Sequence, residues 1–126
     1  MSVKAKYQPV LDMGERFNVR DGYVNEEGNV LKVGGWVKTQ QEKDLMWDKI
    51  KEIGGEHPPD IEADIKVEIN DYYGMYEVKK GDTLSKISKM YLGDAMRYMD
   101  IFNINRDQLN NPDLIKIGQR LKIPFK

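Results

Sequence analysis

The period of the hydrophobic pattern changes several times along the chain. In YQPVLDMGERF (7–17), Val10, Leu11, Met13 and Phe17 share one short helical face. Pro9 suits the first turn, where its missing N–H has no helical partner to lose. Gly14 is expected to weaken the middle of this helix or to end it, turning the chain after Met13. Strand-like runs follow at about 23–26 and 30–38, carried by Val24 and then by Val30, Leu31, Val33 and Val37. Asp21-Gly22 and Glu27-Gly28-Asn29 supply turn chemistry, so the two runs read as a hairpin. Gly34-Gly35 predicts a bulge or a close backbone approach. Thr39-Gln40-Gln41-Glu42 is a capping-box pattern, followed by Met46, Ile50 and Ile53 at helical spacing. Gly54-Gly55 is expected to stop that helix in the left-handed conformation. Over 63–71 the period drops to two: Ile65, Val67 and Ile69 face one way, Asp64, Lys66 and Glu68 the other.

DYYG (71–74) follows that finished strand and marks a boundary, at which Tyr72 and Tyr73 are expected to pack. Residues 75–80 then form a strand, and Gly81 turns the chain into a helix capped by Asp82 or Thr83. Leu84, Ile87 and Tyr91 make its core stripe, Gly93 ends it, and Asp94 caps a second helix with Ala95, Tyr98, Met99 and Phe102 inward. Asn103, Asn105, Asn110, Asn111, Pro112 and Asp113 read as loop, and a strand around 120–124 returns beside 75–80. The fold class is α+β, with an αββαβ unit over 1–71 and a βααβ unit over 75–126.

Composition narrows the function classes. Of the 126 residues, 40% are hydrophobic and 33% charged, which is globular, and a net charge of −1 gives no basic stripe for nucleic acid. There is no cysteine and a single histidine, His57, in a Glu-His-Pro-Pro turn, so no transition-metal site is expected. Glu26-Glu27 and Asp64/Glu68 read as turn and solvent-face residues, not as a catalytic carboxylate pair. Neither Gly34-Gly35 nor Gly54-Gly55 carries the Lys-Ser/Thr of a phosphate loop. The expectation is a non-enzymatic protein with no cofactor and a monomeric state. The opening residues show no signal-peptide core, and no apolar run nears the roughly 20 residues that span a bilayer, so a cytoplasmic address is expected.

The second half resembles a LysM domain from end to end. Val78, Gly81-Asp82-Thr83-Leu84, Ile87, Tyr91-Leu92-Gly93-Asp94, Ile101, Asn103, Asn105, Ile115, Gly118-Gln119, Leu121 and Ile123-Pro124 carry the likeness. The resemblance implies binding of N-acetylglucosamine polymers such as peptidoglycan or chitin. Their groove would be lined by Gly81, Asp82, Thr83 and Leu84, with Leu114, Ile115 and Lys116 opposite. Leu84 and Ile115 are also core residue types, and Asp82 is also a helix-cap type.

The first half resembles a BON domain through Gly28–Gly35, the Thr39-capped helix and Ile65-Lys66-Val67. A BON-like unit followed by a single LysM unit resembles the small cytoplasmic BON–LysM proteins, some of which bind potassium. That likeness implies K⁺ as the ligand, with a conformational response. A large, weakly hydrated ion suits neutral carbonyl oxygens. LDMGER (11–16) resembles an N-terminal segment of these relatives, which nominates the backbone carbonyls of Val10, Met13, Gly14 and Arg16, completed by the last strand of the first unit. The other readings are the glycan groove and a structural adaptor with a protein partner, as LysM-like units serve in phage-like baseplates.

Overall fold

A computed structural model describes residues 2–126. The chain falls into two compact units, one ending at Asn70 and the other running from Asp71 to Lys126.

The first unit contains α1 (Val3–Lys6), α2 (Gln8–Arg16), β1 (Arg20–Glu27), β2 (Val30–Val37), α3 (Gln40–Gly54) and β3 (Ile61–Val67). The one-turn α1 has no hydrophobic period to announce it; Ser2 caps it, its Oγ accepting from Ala5 N at 3.1 Å. Strand order is β1-β2-β3: β1 and β2 form the antiparallel hairpin, and β3 runs parallel to β2 across the α3 crossover. Val10 and Met13 from α2, Met46 and Ile50 from α3, and Leu31 and Ile65 from the sheet join one core. β1 is an edge strand exposed along its whole length.

The chain does not turn at Gly14. The helix runs on to Arg16, because a glycine costs helix stability without forbidding helical dihedrals. The close approach expected at Gly34-Gly35 is present. Ladder pairing shifts between Arg20 and Tyr23, Gly35 has φ +145°, and a Cβ there would run into Val19 Cγ1. A Cβ on Gly34 would sit 2.6 Å from Tyr23 Oη. Thr39 Oγ1 accepts from Glu42 N at 3.3 Å, while the Glu42 carboxylate reaches back to Lys38 N at 2.9 Å. Gly55 ends α3 at φ +92° but with an extended ψ of −178°, not the left-handed helical pair expected. β3 begins at Ile61 and ends at Val67, so its inward set is Ile61, Ala63, Ile65 and Val67; Ile69 lies beyond the strand. Leu31 N donates to Asp60 O, so pairing with β2 draws the strand start earlier than the alternation indicated.

The second unit is β4 (Gly74–Glu77), α4 (Leu84–Leu92), a 3-10 turn (Ala95–Arg97), α5 (Tyr98–Ile104) and β5 (Arg120–Ile123), with β4 and β5 antiparallel. Val78, Leu84, Ile87, Ile101, Leu121 and Ile123 lie at its core. The inward face of α5 is Ile101 and Phe102, not the stripe through Ala95 and Met99, because the tighter winding of the 3-10 turn resets the phase. Asn103 lies within α5, and Asn105, expected in a loop, caps its end fully buried. Its amide donates to Ile101 O at 2.7 Å and Lys122 O at 2.9 Å, and its oxygen accepts from Lys122 N at 2.8 Å. Within this unit Tyr73 meets Phe125 edge-on at 6.0 Å, and Lys122 Nζ lies 5.3 Å from the Tyr72 ring centre.

Candidate functional site

The helix α2 forms one wall of a cleft of about 640 Å³ in the first unit. Its buried walls include Val10, Val33, Val37, Met46 and Ile65. Of the four carbonyl positions nominated from sequence, Val10 and Gly14 line this cleft, whereas Met13 and Arg16 do not. Met13 O already accepts from Phe17 N at 3.0 Å, and Gly14 O from Val19 N at 3.2 Å. Each of these carbonyls retains a second lone pair. Gly14 sits inside the helix without a positive φ, and a Cβ there would meet Val19 Cγ2 at 3.6 Å and Met46 Cε at 3.7 Å, ordinary contacts. Neither backbone conformation nor crowding therefore requires a glycine. Among the described residues no cluster of three or more His, Cys, Asp or Glu side chains is arranged to hold a metal ion.

A polar latch fixes the start of α2. Tyr7 Oη donates to Asp60 Oδ1 at 2.5 Å, and Lys6 Nζ pairs with Asp60 Oδ2 at 2.5 Å. Burial, reinforced by the Asp60 carboxylate, raises the Tyr7 phenol above its ordinary range. The Lys6 and Tyr7 hydrogen bonds hold the Asp60 carboxyl below its usual value. A Cβ on Gly54 would collide with Tyr7 Oη, so the end of α3 also depends on this seat. Nothing local in the sequence marks the pairing of residues 7 and 60.

In the second unit, the loop after β4 and the loop before β5 lie side by side. Val78 N donates to Gln119 O at 2.8 Å and Gly118 N to Val78 O at 2.8 Å. Gly81 takes φ +86°, and its carbonyl accepts from Lys86 Nζ at 3.1 Å. Thr83 is the helix cap, its Oγ1 accepting from Lys86 N at 3.1 Å. Asp82 is not the cap: its Oδ2 accepts from Tyr76 Oη and from Lys79 N, each at 2.7 Å. That bond, with burial second, pushes the Tyr76 phenol up to about 12, and the same two donors lower the Asp82 carboxyl. Leu84, only 2% exposed, lies inside the core. On the opposite loop Ile115 packs half-buried on that core, Lys116 is exposed, and Leu114 is 67% exposed. Ile117, not anticipated from the sequence, is 71% exposed beside them.

This βααβ geometry accords with the family comparison: residues 76–124 match the LysM domain model. The second unit is a LysM domain. Three curated relatives are similar over 49 or 50 residues each. An uncharacterized protein of Deinococcus radiodurans is 52% identical over 50 residues, 40% of this chain and 19% of that protein. The potassium binding protein Kbp of Escherichia coli is 53% identical over 49 residues, 39% of this chain and 33% of its own. The spore coat assembly protein ExsA of Bacillus cereus is 47% identical over 49 residues, 39% of this chain and 7% of its own. The matches thus span at most 33% of these relatives' lengths. The chain thus carries a LysM domain within an α+β fold, and no helix among the described residues is long and apolar enough to cross a membrane.

Proposed function

We propose that this chain is a non-enzymatic K⁺-binding protein of the cytoplasm, in which a BON-like unit (residues 1–71) takes the ion and a LysM unit (75–126) accompanies it. Gly14 carries this reading. It stands in a helix interior that alanine would fit, and together with Val10, one turn earlier, it lines the cleft. Neutral carbonyl oxygens suit a weakly hydrated monovalent cation. The carbonyls of Val10, Met13, Gly14 and Arg16 form the nominated set, and ion binding would order the end of α2. The name of the E. coli relative, a potassium binding protein, agrees with this reading.

Thermal melts in KCl and NaCl at equal ionic strength test it. At 100 times Kd the ion adds roughly 2.7 kcal/mol, a shift of several degrees for a chain this small. Gly14→Ala should remain folded and lose the K⁺-specific part. Identical curves for the parent protein in both salts would overturn the reading.

A second reading concerns the LysM unit: binding of an N-acetylglucosamine oligomer along the paired loops. Exposed Leu114 and Ile117, on the loop whose Gly118 and Gln119 pair with Val78, favour it, offering apolar surface to acetyl groups. Titration with chitin oligomers, with Leu114→Ala as the weakened variant, tests it separately from the ion.

A further inference from the structure

We propose that the cleft beside α2 is a binding site for a small, neutral, largely apolar molecule. This inference does not depend on the cation reading. The cleft's volume of about 640 Å³ lies within the range of organic ligand sites and far exceeds what a single ion fills. Its walls include the buried, apolar side chains of Val10, Val33, Val37, Met46 and Ile65.

The mouth has its own chemistry. Tyr23 and Val24, each 43% exposed, form a lip on edge strand β1. Lys4 and Glu15 stand at the rim, one of each sign, and neither forms an ion pair among the described residues. Opposite charges at the rim and none on the named walls favour a neutral organic guest over a charged one. Asn18 and Tyr23 also line the cleft, and each carries a polar group able to meet one polar substituent.

Three glycines, Gly22, Gly34 and Gly35, line the cleft where side chains would intrude or strain. At the margin Asn18 and Asp21 hold φ of +54° and +52°, costly for non-glycine residues, across the irregular stretch of the β1 ladder. The mouth is thus built on backbone that local preference would not choose.

The test uses the full chain and N-phenyl-1-naphthylamine, a neutral fluorescent probe with one N–H. Saturable one-to-one fluorescence enhancement is expected, equal in NaCl and KCl. Amide shifts in ¹⁵N-labelled protein should centre on Val10, Gly14, Val24 and Val33. Val24→Trp, which crowds the lip, should weaken the probe by about tenfold or more. Val24→Glu, which tolerates strand exposure, serves if the tryptophan variant misfolds, and Met96→Ser, at a side chain 79% exposed in the second unit, should change nothing. The anionic analogue 1-anilinonaphthalene-8-sulfonate should bind more weakly. Shifts lying outside the cleft, a folded lip variant that binds unchanged, or preference for the sulfonate would each overturn the proposal. A missing K⁺ effect in melts would leave it untouched.

Discussion

Tyr76 Oη donates a 2.7 Å hydrogen bond to Asp82 Oδ2, clasping the strand β4 to the turn that starts α4. The Asp82 of the Gly81-Asp82-Thr83-Leu84 signature therefore closes a turn, and Thr83 beside it does the capping.

This clasp gives stability a pH dependence at both ends. The Asp82 carboxyl is lower in the folded state, so its contribution is complete above the ordinary carboxylate range and disappears as pH falls through that lowered value. Tyr76 is raised to about 12, so its contribution is complete below the free phenol value and fades as pH rises from about 10 towards 12. Thermal melts at acid pH should show the parent protein losing its advantage over Asp82→Asn. Ultraviolet titration of Tyr76→Phe should lack one late-ionising phenol.

Gly14→Ala should stabilise the first unit by about 0.5–1 kcal/mol, because alanine restricts the unfolded chain and finds only ordinary contacts at 3.6–3.7 Å. Urea denaturation checks this. A loss of stability would mean that the helix cannot take the methyl group.

Gly35→Ala should be the more damaging glycine change. A methyl group there meets Val19 and approaches Gly22 Cα to 3.0 Å, on top of a φ of +145°. Gly28→Ala, in open space at φ +62°, should cost only the conformational term of about 1–2 kcal/mol. Comparing the two denaturation midpoints separates crowding from backbone strain.

Asn105→Ala should cost about 2–3 kcal/mol, since it strands the buried carbonyl of Ile101 and both main-chain groups of Lys122. Hydrogen exchange at the Lys122 amide should accelerate in step with the lost stability. Unchanged exchange would show that water replaces the side chain.

Much of the architecture is legible residue by residue. The order αββαβ then βααβ, the caps at Thr39 and Thr83, the left-handed Gly93 and the tight approach at Gly34-Gly35 all follow from local rules. The LysM signature was equally plain, because its residues are spaced along one continuous stretch. The candidate sites were less so. Val10 and Gly14 were marked, but the cleft between them and Val33, Met46 and Ile65 was not.

The sequence by itself determined the elements, their order and most of their ends, since caps, turns and periodicity act over a few neighbouring residues. Only the tertiary structure decided that Tyr7 seats on Asp60, that Asp82 serves Tyr76, that α5 turns Ile101 inward, and that an open hollow lies beside α2. Those outcomes depend on which surfaces meet across tens of residues, and pairings at that range leave no periodic trace in the chain.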